Sequence, residues 1–348
     1  MKNEKIKILT IGGGSGQFEL LSALRDIKNI KITSVVSMTD NGGSTGRLMD
    51  EFGILPPGDV LKCIIALSPL RDVAQSILLK RLNGSDSLRE HNAGNLLLTM
   101  LSRYTGSFPA AIETLSEILE LDGTVLPVTT DKATLVADLY DGRRIYGESA
   151  IDIPKSERRE KIKEMFLVPH FNNSISVYPP VIEAIRGSKY IFIGPGDLFT
   201  SIIATLIVPG IREEIQKTRA KIIFILNIMT KFGETQGFNG YDFIQKLEGC
   251  LNRQVNGIIY NTKRPSKRIQ VKYLEEKSEF IELEEYEDWI DDRVIYCGDF
   301  LNMSEDIARH DPVKLSSVIK SIIYNEDGNI FPFELPKMNK SDIVEMRL

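Results

Sequence analysis

Ile6-Lys7-Ile8-Leu9-Thr10-Ile11 runs into Gly12-Gly13-Gly14-Ser15-Gly16, and Phe18, Leu20, Leu21 and Leu24 follow at helical spacing. The near-continuous apolar run is the pattern of a strand buried on both faces. The glycines make a tight turn, and the stripe beyond them is one face of a helix. A second apolar run, Ile32 to Met38, comes next. Strand, glycine turn, helix and strand make one βαβ unit, for which parallel pairing with a right-handed crossover is expected.

The second strand opens into a second glycine loop, Thr39-Asp40-Asn41-Gly42-Gly43-Ser44-Thr45-Gly46-Arg47. Such a segment has nothing to bury. It has backbone N–H groups, hydroxyls and charge to offer an anion. A third loop, Gly194-Pro195-Gly196-Asp197 with Leu198-Phe199-Thr200-Ser201, follows the apolar run Tyr190 to Ile193. Three such junctions predict an α/β protein that holds a phosphorylated ligand at its strand ends.

The remaining pattern extends this architecture. Between Asp59 and about Gly123 the period is helical, with Asp59 and Asn92 as expected N-caps and Pro109 in a first turn. From Thr124 to Ile151 the period shifts towards two, and Asp141-Gly142 reads as a hairpin turn. Residues 124–175 are therefore read as a small β-hairpin and helical insertion. Strands at 190–193, 221–227, 257–260 and 294–297 alternate with helices at 200–207, 211–217, 241–251 and 312–323. The expected fold is a Rossmann-like, mostly parallel sheet with helices on both faces. It forms a single domain over 1–325, with 326–348 as a C-terminal tail.

Composition bounds the function. The 348 residues are 42% hydrophobic and 26% charged, an ordinary globular balance. A formal net charge of −5 argues against a nucleic-acid surface. Lys263-Arg264 with Lys267-Arg268 reads as a solvated loop rather than a binding patch. No apolar run reaches the roughly 18 residues of a membrane span. Cys63, Cys250 and Cys297 are too dispersed for a disulfide framework, and a cytoplasmic location is expected. No cysteine–histidine cluster has zinc spacing.

The loops do not fit the standard nucleotide fingerprints. Counting from Gly12, the sixth position is Gln17, where a dinucleotide fold needs glycine or alanine, so no NAD is expected. No Gly-Lys-Ser/Thr occurs, which removes a Walker A loop. Asp40, at a strand end among glycines, is the candidate metal ligand or acceptor for a substrate hydroxyl, and the candidate catalytic group. Gly12, Gly13, Gly14, Ser15 and Gly16 are candidate ligand contacts, as are Asn41, Gly42, Gly43, Ser44, Thr45 and Arg47. So are Asn95, Gly194, Gly196, Asp197, Thr200 and Ser201. Thr200 and Ser201 also suit a helix cap. His91 reads as a loop histidine, and no hydrolase triad is visible.

These motifs, in this order, resemble the gluconeogenesis factor (YvcK-like) family, which is related to the 2-phospho-L-lactate transferases (CofD) of coenzyme F420 synthesis. The resemblance runs from about Lys7 to Lys314. Besides the three glycine loops it is carried by Leu55-Pro56-Pro57-Gly58-Asp59, Gly94-Asn95-Leu96-Leu97-Leu98 and Asp141-Gly142 with Gly147-Glu148. Asn227-Ile228-Met229-Thr230, Gly233-Glu234-Thr235 and Arg309-His310-Asp311-Pro312 complete it. It implies a Rossmann-like sheet with a ligand cleft at the strand ends. The transferase relatives move a lactyl-phosphate group from a nucleotide-linked donor to a deazaflavin alcohol with magnesium. The gluconeogenesis-factor branch is linked to nucleotide-sugar binding and to envelope growth and cell shape. The resemblance thus implies a nucleotide or UDP-sugar ligand with magnesium and a protein partner in envelope regulation; a homo-oligomer is expected. The chain departs from the commoner Asp-Asp-Gly-Gly-Ser-Ser-Gly text at Asn41 and Thr45, which weakens a two-carboxylate metal site there.

Overall fold

Residues 5–324 are described by the computed structural model, apart from 83–87, 89, 90, 157, 171–173, 284–290 and 303–305. The tail read at 326–348 lies outside the described residues, as do residues 284–290 of the acidic stretch Glu275 to Asp292, which its composition marks as solvent-facing. Ten strands are described: β1 (Ile6–Gly12), β2 (Ile30–Val36), β3 (Thr124–Pro127), β4 (Ala133–Leu139), β5 (Arg144–Tyr146), β6 (Ile162–Pro169), β7 (Tyr190–Ile193), β8 (Lys221–Ile225), β9 (Gly257–Asn261) and β10 (Val294–Gly298). The helices up to the second sheet are α1 (Gly14–Arg25), α2 (Gly43–Phe52), α3 (Gly58–Leu67), α4 (Arg71–Leu78), α5 (Ala93–Thr105) and α6 (Phe108–Ile118). Then come α7 (Glu148–Asp152), α8 (Pro179–Gly187), a π-helical turn (Leu198–Ile203) running into α9 (Ala204–Leu206), α10 (Ile211–Lys217), α11 (Gly240–Leu251), α12 (Lys267–Glu275) and α13 (Pro312–Tyr324).

Seven strands form one sheet in the order β10-β9-β8-β7-β1-β2-β3. Every neighbouring pair in it is parallel. The fold is Rossmann-like, and its central strands are as apolar as the sequence requires: Ile8, Leu9, Ile11 and all of β7 are at most 1% exposed. The chain steps outward from β1 to β2 and β3, then returns to the other side of β1 for β7 and steps outward again. Right-handed crossovers taken in opposite directions put their helices on opposite faces. Thus α1 packs with α3 and α13, while α10 packs with α8 and α11. The reversal at β1 makes the crevice between β1 and β7 the place where ligands bind in sheets of this kind.

The second sheet is antiparallel, β5-β4-β6. Its hairpin turns at Asp141-Gly142, with Gly142 at φ +85 and the Asp141 carboxylate accepting from the Arg143 N–H at 3.0 Å. Of the stretch 124–175, β3 is the edge of the main sheet, and the separate sheet begins at Ala133.

Three local readings are corrected. Asp59 is not an N-cap, because α3 begins at Gly58 behind Pro57 and Asp59 lies in its first turn. Lys267 and Arg268 are not in a loop; they open α12, where the Ser266 hydroxyl accepts from the Ile269 N–H. The π-helical turn is flanked by Asp197, and neither Thr200 nor Ser201 caps it, since both lie within it. The cap at Asn92 forms and Pro109 lies in the first turn of α6, as the sequence indicates; Ser107 caps that helix.

Candidate functional site

The loops after β1, β2 and β7 meet at the carboxyl ends of their strands. After β1, Gly14 at φ +64 turns the chain into α1. The turn is held from below by Gln17, whose amide donates to Thr10 Oγ1 at 2.6 Å and Ser34 Oγ at 3.0 Å. That buried amide ties β1, α1 and β2 together, which is why glutamine stands where a dinucleotide fold has glycine. A Cβ on Gly16 would lie 2.2 Å from the Pro195 carbonyl oxygen, and one on Gly13 would lie 2.7 Å from Asp59 Oδ2 and 3.6 Å from Ser201 Oγ. The first and third loops therefore touch backbone to backbone across the β1–β7 crevice, with Asp59 beside them.

The second loop joins on the β2 side. Asp40 Oδ1 accepts from the Gly42 N–H at 2.9 Å. A Cβ on Gly58 would meet Thr45 Oγ1 at 2.8 Å and Asp40 Oδ2 at 3.2 Å, so Asp40 and Asp59 flank the same glycine. Burial first, and then the Asp59 carboxylate, holds the Asp40 carboxyl above the usual range. Lys62 reaches Asp59 Oδ1 at 3.0 Å. Ser44 Oγ is bonded to the buried His91 Nδ1 at 2.7 Å, so the loop histidine braces the second loop from behind. Arg47 is exposed on α2. Asn95 is buried in the first turn of α5, and its Oδ1 has no hydrogen-bond partner among the described residues.

The second sheet delivers α7 to this cleft. Asn41 Oδ1 accepts from the Ser149 N–H at 2.9 Å and its hydroxyl at 3.0 Å, which pins α7 over the second loop. Glu148 then faces the acidic pair. Its pKa is pushed up to about 8, by burial first and next by Asp40, Asp152 and Asp59. Asp40, Asp59 and Glu148 make an acidic end of the cleft.

A second acidic group lies one loop further. Carboxylate oxygens of Asp152, Asp197 and Glu234 lie within 4.8 Å of one another. The ammonium of Lys231 fills the space between them: it is hydrogen-bonded to Asp152, 2.8 Å from Asp197 Oδ2 and 3.6 Å from Glu234 Oε1. Burial works against that ammonium, yet Asp197, Glu234 and Asp152 outweigh it and hold its pKa above the ordinary lysine value. Glu234 Oε2 accepts from the Phe199 and Thr200 N–H groups at 3.1 and 3.3 Å, and Oε1 from Thr200 Oγ1 at 3.0 Å. The start of the π-helical turn, where an external anion was expected, is occupied by the protein's own carboxylate. The backbone N–H groups left for a ligand are those of the first two loops and the crevice side of the third.

A groove of about 300 Å³ leads away from the crevice, lined by Ser15, Gly16, Gly196, Asn227, Lys231 and Arg309. A larger one, about 610 Å³, lies at the β3 edge against α6, away from the glycine loops.

Sequence reasoning brought the loops together but read Asp59 chiefly as an N-cap and did not single out Glu148, Ser149, Asp152, Lys231 or Glu234. Asp59, Glu148 and Glu234 stood in motifs quoted for the resemblance without a role there, and no signal marked Ser149, Asp152 or Lys231. No helix among the described residues is long and apolar enough to cross a membrane.

Residues 8–298 match the family described as 2-phospho-L-lactate transferase CofD. The chain is 34% identical to the gluconeogenesis factor of Bacillus subtilis over 323 residues, 92% of this chain and 99% of that protein. In Halalkalibacterium halodurans the figure is again 34%, over 317 residues, 91% of this chain and 96% of that one. A relative from Thermotoga maritima is 37% identical over 322 residues, 91% of this chain and 99% of that one. A crystal structure of a Bacillus halodurans protein superposes with a TM-score of 0.84 at 33% identity, covering 91% of this chain and 99% of that one.

Proposed function

We propose, from the premise that this chain belongs to the CofD family and is similar throughout to its gluconeogenesis-factor members, that its cleft binds a diphosphate nucleotide or UDP-type nucleotide-sugar together with magnesium. Occupancy of the cleft, read by a protein partner, then links carbon metabolism to envelope and cell-shape control. The observation that carries the reading is the convergence of three glycine loops at the β1–β7 crevice beside Asp40 and Asp59. Backbone N–H groups at a helix start and a strand-end crevice suit phosphate oxygens. The nearby lysines, Lys62 and Lys231, are engaged by carboxylates. A diphosphate approaching Asp40, Asp59 and Glu148 needs a cation with it, which is the support for magnesium.

A second reading rests on the same acidic end. Carboxylates beside phosphate-binding N–H groups suit a metal-assisted transfer of a phosphoryl-linked group from a nucleotide donor to an alcohol, and the family's description is of a 2-phospho-L-lactate transferase. Calorimetry against UDP-sugars, UDP and GDP, with and without magnesium, tests the binding. Saturable, magnesium-dependent heat is expected, and no binding at millimolar ligand refutes it. Release of free nucleotide from a diphosphate-linked donor, followed by chromatography, decides for turnover.

A further inference from the structure

We propose that the base of the bound nucleotide lies in the groove between the segment leaving β8 and helix α12, against Met229, Phe238, Arg264, Gln270, Leu274 and Phe280, with the phosphates directed back to the glycine loops. The inference rests on the nucleotide reading and adds an orientation and a set of specificity-determining residues to it.

The first support is continuity. This groove, about 400 Å³, shares Met229 and Ser278 with the 300 Å³ groove that opens from Gly16 and Gly196. Each is of the size of a small-molecule site, and together they make one path from the β1–β7 crevice to α12.

The second support is charge. At the β2 end the cleft holds Asp40, Asp59 and Glu148, which call for a cation and the phosphates that travel with it. At the α12 end the charged residues of the lining are Arg264, Glu279 and Glu282, with the Lys161 ammonium 5.5 Å from the Phe238 ring behind it. Arg264 is ion-paired with Glu282. A phosphate gains nothing there, whereas a neutral ring does.

The third support is the surface itself. The Arg264 guanidinium stacks over the Phe280 ring at 5.0 Å. Phe238 is fixed edge-on against Phe199 and Phe243, with centroids 6.3 and 5.7 Å apart. The wall is rigid because the strand-like segment at Phe280 is bonded to the one at Met229: the Thr230 N–H donates to the Glu279 carbonyl at 2.7 Å, and the Ile281 N–H to the Ile228 carbonyl at 3.0 Å. Flat aromatic and guanidinium surface is what a nucleobase stacks on. Gln270 donates its amide N–H to the Pro265 carbonyl at 2.7 Å, so its Oε1 is the acceptor it has to offer a ring N–H. Leu274 forms an apolar lip, 56% exposed, that a stacked base would cover.

The test is calorimetry on the full chain with UDP, GDP and inorganic pyrophosphate, each with magnesium, using the parent protein, Leu274→Glu and Gln270→Ala. Leu274 is exposed and Gln270 lies on the surface of α12, so both variants should keep the parent's circular dichroism. The expected result is that Leu274→Glu weakens the preferred nucleotide about tenfold or more, equivalent to at least about 1.4 kcal/mol, while pyrophosphate affinity stays within about twofold. Gln270→Ala should narrow the difference between UDP and GDP. Unchanged nucleotide affinity in both variants overturns the placement of the base and leaves the nucleotide reading standing. A parallel fall in pyrophosphate affinity also overturns it, since the groove would then be serving the phosphates. No nucleotide binding by the parent protein overturns the reading beneath it. Photolabelling with an azido-nucleotide gives an independent measurement: labelled peptides between 264 and 282 support the placement, and labelled peptides between 40 and 62 refute it.

Discussion

Replacing Lys231 by methionine removes the ammonium that pairs with Asp152, Asp197 and Glu234 while keeping most of the side-chain volume. The side chains of Asp152 and Asp197 are 22% and 39% exposed, so water relieves part of their loss, but Glu234 is 1% exposed and has none. Breaking a buried pair by removing one partner costs about 3–5 kcal/mol. Discounted for the two half-buried aspartates, the expected loss is about 2–4 kcal/mol at alkaline pH. The loss should depend on pH with a definite sign. The Glu234 carboxyl sits at about 8, pushed up by burial first and then by Asp197, against the pull of Lys231; in the unfolded chain a glutamate titrates at about 4.3. Between those values the folded protein holds more protons than the unfolded one, so this group's contribution to stability falls as pH rises through the window. Without Lys231 the Glu234 pKa moves higher still, and the fall continues past pH 8. Urea unfolding followed by far-ultraviolet circular dichroism at about pH 5.5, 7 and 8.5 should therefore show a deficit that is similar at the two lower values, where Glu234 is protonated with or without Lys231, and larger by roughly 0.8 kcal/mol at the highest. A deficit that is flat across the three pH values, or below about 0.5 kcal/mol at the highest, would refute the claim that Lys231 is the counter-ion of a buried acidic site.

Three further outcomes follow from the same geometry. Asp40→Asn should abolish the magnesium dependence of nucleotide binding in calorimetry yet leave unfolding stability within about 0.5 kcal/mol, because it relieves repulsion with Asp59 while an amide oxygen can still accept from Gly42. Asn41→Asp should keep α7 in place, since a carboxylate also accepts both Ser149 bonds, and should tighten manganese binding in the absence of nucleotide; an electron paramagnetic resonance titration that finds equal affinity in both forms would exclude residue 41 from the cation's surroundings. Gly16→Ala places a methyl 2.2 Å from a backbone carbonyl oxygen and should lower stability by about 1–3 kcal/mol, whereas Gly14→Ala meets nothing and should cost about 1 kcal/mol through its φ of +64 alone; equal thermal melts would contradict the close approach of the first and third loops.

The sheet was legible because parallel strands buried on both faces are runs of apolar residues, and β1, β2, β7 and β8 are such runs. Strand β6 was not read: Ile162–Pro169 packs one side loosely and alternates with no clean period, its buried residues being Ile162 and Met165. Helix α12 was hidden by its basic residues, although Ser266 marks its start. The glycine loops were legible as loops because a strand running into several glycines has few other readings. What escaped was everything the second sheet contributes. Glu148 and Asp152 reach Asp40 and Lys231 only through tertiary packing, and nothing local in Gly147-Glu148-Ser149 distinguishes it from a surface turn. The fate of Thr200 was equally hidden, because hydroxyls at a helix start look the same whether they await an external anion or already hold Glu234.

The position of β1 also bears on how the chain is made. Its two neighbours enter the ribosome's output at very different times: β2 follows after a single helix, but β7 does not begin until Tyr190. At about 5–20 residues per second, the interval between Gly12 and Tyr190 leaves one edge of a mostly apolar strand without its partner for roughly 10–35 s of synthesis. An unpaired apolar edge is a template for pairing with the wrong chain. The ligand crevice lies at that same late-closing seam, so a nascent chain halted before residue 190 would expose Ile8, Leu9 and Ile11 and be a client for chaperones rather than a smaller working protein.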